Sequence, residues 1–274
     1  MYLGISSSLE HSSPQDWAKK HKALGLQTVN FPVNCDDGEE TFMAYKKAAD
    51  EAGLTIAEVG VWRNTLAADP EERQHWIDYA IRQLRMADAI GAACCVNVVG
   101  TPYGPRWDGG YRENFSTELW NMAVSMIRQI IDTARPRHTK FCIESMPWMI
   151  PSGPDEYLRL IEAVDRTEFG THLDVVNMIT SPKRYFFNDE FLDECFEKLG
   201  PLICSCHLKD IAMEEKSTVH IYEVLPGLGQ MDIAYYLKRI QDLGNPDMPV
   251  LIEHLPDRES YQKAMDYVRN VVPR

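Results

Sequence analysis

The stretch ICSCHLKD, residues 203–210, reads as a short buried strand ending on an imidazole, and three other stretches have the same form. FCIESMP (141–147) closes its apolar run on Glu144, THLDVVN (171–177) on Asp174, and VLIEHLP (250–256) on Glu253. Short apolar runs of this kind mark strands covered on both faces, as in a parallel sheet packed by helices. Four such strands, each closing on a side chain of metal-ligating type, point to one shared site. Glu144, Asp174, His207 and Glu253 form an oxygen-rich donor set that suits a single divalent cation, Mn, Mg, Co or Zn according to geometry.

The alternation continues outward along the chain. Strand candidates are residues 2–6, 28–32, 55–61, 94–99, 141–144, 171–175, 203–208 and 250–254. Amphipathic stretches of helical period occupy residues 14–24, 39–52, 70–90, 117–134, 154–163, 188–199, 232–242 and 258–271. Pro14 and Pro70 stand at first helical positions, and Gly25, Gly53, Gly91, Gly200 and Gly244 stand just past helix ends. Strands that each lead into a helix, with no linker between them, predict a closed (β/α)8 TIM barrel, one domain over residues 1–274. An open doubly wound sheet would place a glycine-rich phosphate loop after the first strand, where this chain has Ser6-Ser7-Ser8-Leu9. In a barrel the four residues ring one mouth, at the C-terminal ends of strands five to eight. A lone carboxylate there would read as a helix cap, but several clustered in one mouth repel one another unless a cation joins them.

Composition narrows the function class. Lys and Arg number 28 against 41 Asp and Glu, a net charge of −13 that opposes a phosphate backbone and excludes nucleic acid as the expected partner. The first residues, MYLGISSSLEHSSPQDW, lack the charged and apolar regions of a signal peptide, and no run has the length of a membrane span. A soluble cytoplasmic protein is expected. The 7 cysteines fall mostly inside apolar runs, as reduced core thiols do. Strand alternation turns both Cys204 and Cys206 away from His207, toward the covering helices.

Glu-Ser-Met-Pro, Leu-Asp-Val-Val-Asn, Cys-His-Leu-Lys-Asp, Ile-Glu-His and the segment from Gly227 to Asp232 resemble the xylose isomerase-like TIM barrels. That superfamily includes D-tagatose 3-epimerase and other ketose 3-epimerases, hydroxypyruvate isomerase, myo-inosose dehydratase and endonuclease IV. The resemblance spans essentially the whole chain. It implies that Glu144, Asp174, His207 and Glu253 bind one divalent metal, most often Mn, and that both glutamates double as acid/base groups. Many ketose epimerases and dehydratase-like members carry a His three residues after the strand-six Asp, where this chain has Asn177. The multi-metal site of endonuclease IV needs more histidines than this mouth supplies.

The expected activity is therefore isomerisation or epimerisation of a keto-sugar or related polyhydroxy carbonyl compound through an enediolate, with Glu144 and Glu253 exchanging the proton. The same intermediate could expel a leaving group or carbon dioxide, so a lyase acting on a keto-sugar or keto-acid is the alternative. A metal-stabilised barrel that needs a partner chain is the non-catalytic one. Lys209 shares the side of His207 and is a third catalytic candidate, able to stabilise an oxyanion. Asn177, Trp148, Tyr111 and Asn97 are the expected substrate contacts, with Trp62, Arg63 and Asn64 nearby. His172 should face inward but deeper, and His254 away from the mouth. The aromatic loop 100–114 reads as a lid, and the loop 209–230 as a cover or as a contact in a homo-oligomer.

Overall fold

The computed structural model describes residues 1–272. Eight parallel strands form the inner wall: β1 (Tyr2–Ile5), β2 (Thr28–Asn30), β3 (Thr55–Gly60), β4 (Cys94–Asn97), β5 (Lys140–Glu144), β6 (Phe169–Leu173), β7 (Ile203–Leu208) and, after a hairpin, β10 (Pro249–Ile252). Their order is β1-β10-β7-β6-β5-β4-β3-β2. The ladder stops between β1 and β2, and the seam is bridged by Gln27 N–H donating to the Leu3 carbonyl at 3.0 Å and Asn30 Nδ2 donating to the Ser6 carbonyl at 3.0 Å. Gly4 permits this approach, since a Cβ there would lie 2.5 Å from the Thr28 carbonyl oxygen. The result is a nearly closed TIM barrel in a single domain.

Helices α1 (Pro14–Ala23), α2 (Glu39–Ala52), α3 (Pro70–Ile90), α4 (Thr117–Ala134), α5 (Pro154–Val164), α8 (Asn188–Leu199), α9 (Ile233–Asp242) and α10 (Arg258–Val271) surround the wall, close to the positions that periodicity predicts. Their ends are chemically specified. The Asp69 carboxylate accepts from the Glu71 and Glu72 amides at 3.0 and 2.8 Å, and Gly91 closes α3 with φ 67°. Along α3 the residues Ile77, Ala80, Ile81, Leu84 and Ala87 are buried, one stripe facing the sheet. Outward-pointing Phe141 and Ile143 meet such stripes, while Cys94, Val96 and Cys142 point inward and fill the barrel. Among the described residues no helix is long and apolar enough to cross a membrane.

Three local departures follow from physical causes. The sixth strand ends at Leu173, not residue 175, because the Asp174 carboxylate caps a one-turn helix, α6 (Val175–Met178), by accepting from the Asn177 amide at 3.1 Å. Another short helix, α7 (Pro182–Phe186), follows it. The segment 209–230 is no plain loop: β8 (Asp210–Met213) and β9 (Ile221–Val224) pair antiparallel within it. Its return to the barrel is pinned by Asp210, whose carboxylate accepts from the amides of Ile211, Gly227, Gly229 and Met231 at 2.8 to 3.0 Å. Finally, the register between β6 and β7 shifts, Thr171 pairing with Ile203 but His172 with Ser205. The extra residue breaks alternation and turns Cys204 into the barrel against Cys94, Val96 and Cys142, whereas Cys206 does pack outward.

Candidate metal centre at the barrel mouth

Each of the four strand-end residues is delivered to one point by its strand. One oxygen from each of Glu144, Asp174 and Glu253 and one nitrogen of His207 all lie within 4.8 Å of one another. His207 Nδ1 stands 3.2 Å from Glu144 Oε1, 3.0 Å from Glu253 Oε2 and 3.7 Å from Asp174 Oδ2. Lys209, on the same side of the chain, reaches Asp174 Oδ2 at 2.7 Å, Glu253 Oε2 at 2.8 Å and Glu223 Oε1, from the hairpin, at 3.3 Å. Asn177 Nδ2 donates to Glu144 Oε1 at 3.2 Å and to the Ser145 carbonyl at 3.0 Å.

Burial governs the proton affinities. It pushes the Glu144 carboxyl up to about 7 against the pull of His207, with Glu253 and Asp174 adding to the rise. Burial would raise Asp174 as well, but the Lys209 ammonium and His207 hold it well below the usual carboxylate range. Glu253 is likewise held down, by His207 and Lys209. His207 is raised well above an ordinary imidazole because Glu253, Glu144 and Glu58 outweigh its burial. Without a bound cation, then, an imidazolium and an ammonium offset the carboxylates. The compensation is incomplete: Asp174 Oδ2 and Glu253 Oε2 make ion-pair contacts with Lys209 but have no hydrogen-bond partner. Convergent oxygens and one imidazole nitrogen, partly unsatisfied, fit a hard or borderline divalent cation.

Beside this cluster opens a cavity of about 410 Å³ walled by Trp62, Trp107 and Trp148, with Glu144, Asn177 and Glu253 at its polar end. Trp62 and His254 both line it and both have left-handed backbones, φ 48° and 57°. That turn at His254 overrides the simple alternation that points it away; its ring reaches Glu223 at 2.9 Å. Trp62 folds back over Gly60, where a Cβ would lie 1.8 Å from the indole nitrogen. Such strained positions concentrate at functional sites. Trp148 donates its indole N–H to the Asp108 carbonyl at 2.6 Å, and Asn114 Nδ2 donates to the Trp148 carbonyl at 3.0 Å, which ties the loop 100–114 over the mouth.

Two expected contacts lie elsewhere. Tyr111 braces its own loop, its hydroxyl accepting from the Arg106 amide at 3.0 Å. Asn97 is wholly buried and clamps the Arg63 backbone, donating to its carbonyl at 3.0 Å and accepting from its amide at 3.4 Å. His172 faces inward one layer below the mouth, fully buried. Glu58 and Glu223 escaped the sequence reading. Glu58 carried a signal, an acid inside the apolar strand TIAEVG; Glu223 lies on an exposed hairpin and carried none.

Comparison with known proteins agrees with this architecture. The sequence profile of the xylose isomerase-like TIM barrel family matches residues 18–271. No curated protein matches the chain. Among solved structures, D-psicose 3-epimerase from Clostridium cellulolyticum H10, crystallised with D-tagatose, is 14% identical, with 99% of each chain covered and a TM-score of 0.73. A 3-keto-D-glucoside 4-epimerase from E. coli is 13% identical, covering 98% of this chain and 99% of that one, with a TM-score of 0.71. A xylose isomerase-like TIM barrel protein from Mycobacterium smegmatis, in complex with magnesium, is 17% identical over 98% of this chain and 92% of its own, with a TM-score of 0.69. With the profile matching nearly its full length, the chain belongs to the xylose isomerase-like TIM barrel family.

Proposed function

We propose that this barrel is a divalent-cation-dependent epimerase or isomerase of a keto-sugar or related polyhydroxy carbonyl compound. The observation that carries the proposal is the Glu144–Glu253 pair. In the sheet β10 and β5 flank β7 and β6, so the two carboxyls reach the cluster from opposite sides of His207 and Asp174. Two carboxyls so separated suit an acid and a base that exchange one proton with a carbon between them. Glu144, Asp174, His207 and Glu253 would hold the cation, Mn by preference, which when bound supplies Lewis acidity that lowers the pKa of a C–H beside a carbonyl. One of the two glutamates, ionised, removes that proton, and the other, entering the step protonated, delivers its proton to the opposite face; the two exchange roles in the reverse direction. The Lys209 ammonium offsets the negative charge that develops on oxygen. Trp62, Trp107 and Trp148 offer faces for a sugar ring, and Asn177 a hydrogen bond to a hydroxyl. The D-psicose 3-epimerase and the 3-keto-D-glucoside 4-epimerase that share the fold support the choice of reaction.

The test is incubation of the Mn-loaded protein with a panel of keto-sugars in deuterated water, followed by NMR. Deuterium should enter the carbon beside the carbonyl, with a new epimer or aldose appearing. Loss of water or carbon dioxide in place of exchange would establish a lyase instead.

Cation and protons compete for the same groups, which gives a pH dependence of known sign. His207 titrates well above its ordinary value and Glu144 at about 7, so near neutral pH a cation must expel the His207 proton and part of that on Glu144. Calorimetry in buffers of differing ionisation enthalpy should show one to two protons released per Mn near neutrality. Apparent affinity should rise about tenfold or more per pH unit in that range. An affinity flat with pH would count against these ligands.

A further inference from the structure

We propose that Glu58 is a positioning residue for the mouth cation: its carboxylate faces Nε2 of His207 and favours the tautomer protonated there, in which Nδ1 faces Glu144, Asp174 and Glu253 with a free lone pair. The proposal rests on the reading of that cluster as a cation site. Glu58 sits in the middle of β3 and is 1% exposed, inside the barrel and one layer below the mouth. Its Oε2 lies 3.4 Å from His207 Nε2 and 3.5 Å from His172 Nε2. Glu58 Oε2, His172 Nε2 and His207 Nε2 are all buried and all lack a hydrogen-bond partner.

A carboxylate in that position serves packing poorly. An apolar side chain would fill the same volume without the cost of burying a polar group that has no strong partner. The ion-pair contacts of Glu58 Oε2 among the described residues are the two imidazole nitrogens, and of these His207 also belongs to the cluster above. A neutral imidazole has one N–H and one lone pair. If Nδ1 is to ligate, the proton must sit on Nε2, and the group that faces Nε2 decides how strongly that arrangement holds. Glu58 therefore acts on the cation through His207, just as Asn177, on the opposite side, acts through Glu144. His172 supplies the second nitrogen against the same oxygen and keeps the carboxylate from turning away.

The experiment compares the full-length protein with Glu58→Gln, which preserves shape and removes the charge. Titrated with Mn, both should bind one ion per chain, and the variant should bind it about 10- to 100-fold more weakly. Independently, nitrogen-15 NMR of the unmodified protein loaded with diamagnetic Zn should place the His207 proton on Nε2, which needs no variant to fold. Binding by Glu58→Gln within about threefold of the parent would overturn the proposal, as would a proton on Nδ1 in the loaded protein. Two ions per parent chain, one lost in Glu58→Gln, would overturn it too, by making Glu58 a ligand in its own right. A parent protein that takes up no Mn would remove the cation reading of the mouth and this inference with it.

Discussion

Glu253→Gln and Glu144→Gln should each lose epimerisation by at least about a thousandfold at saturating Mn, yet each should still exchange deuterium into one of the two epimers. A positioned acid or base is worth on the order of a hundred- to ten-thousandfold, and these residues would also be ligands. Gln keeps the shape of Glu but cannot take up a proton. When Glu253 is replaced, Glu144 remains to serve the epimer whose C–H faces it, and the reverse holds for the other variant. The exchange pattern should therefore be opposite in the two variants, while neither converts one epimer into the other. NMR in deuterated water, starting from each epimer separately, reads both quantities. If both variants lose exchange with both epimers at saturating Mn, the glutamates act as ligands alone. Turnover within tenfold of the parent in either variant would sink the acid/base assignment altogether.

The parts of this site that were legible in sequence share one property: each ends an apolar strand whose direction the barrel fixes. Glu144 and His207 lie at or beside the last residues of β5 and β7, so knowing the strand was enough to place them. Asp174 and Glu253 come just after their strands, and Lys209 follows by alternation. What alternation could not supply depends on backbone departures from it. The extra residue between β6 and β7 reversed Cys204, and a left-handed backbone at His254 returned that ring to the cavity. The hairpin of β8 and β9 is hidden because its strands are short and half exposed, with polar residues such as Glu214, Glu215 and Lys216 between them. Glu223 was invisible with it. Tyr111 and Asn97 have the composition of substrate contacts, but composition does not separate a residue that meets a ligand from one that holds the loop which does. Glu58 is hidden for the opposite reason: it lies in a strand's middle, not at the strand end where a barrel-mouth ligand is expected.

Lys209→Met should destabilise the cation-free protein by about 3–5 kcal/mol, the range for breaking a buried ion pair from one side. The ammonium is 1% exposed and stands within 2.8 Å of both Asp174 and Glu253, so its removal leaves two buried carboxylates without their nearest cation. Met fills nearly the same volume, and the loss is one of charge. For a barrel of this size the melting temperature in EDTA should fall by roughly 10 °C. The pH dependence should shift. In the parent, Asp174 and Glu253 are held below their ordinary values, so their stabilisation is present above the unfolded carboxylate range and is lost as pH falls through the lowered folded values. In the variant only His207 opposes burial, so the two carboxyls are held down less and the loss of stability on acidification should begin at a higher pH than in the parent. Mn should then reverse the defect, since a cation among the same oxygens replaces the missing charge, and the melting temperatures of variant and parent should converge as Mn is added. Binding should also tighten, because the ammonium that repelled the ion is gone. Unchanged melting in EDTA would mean that Lys209 does not hold the empty mouth together, whereas a loss that Mn cannot recover would assign Lys209 to packing and not to the balance of charge.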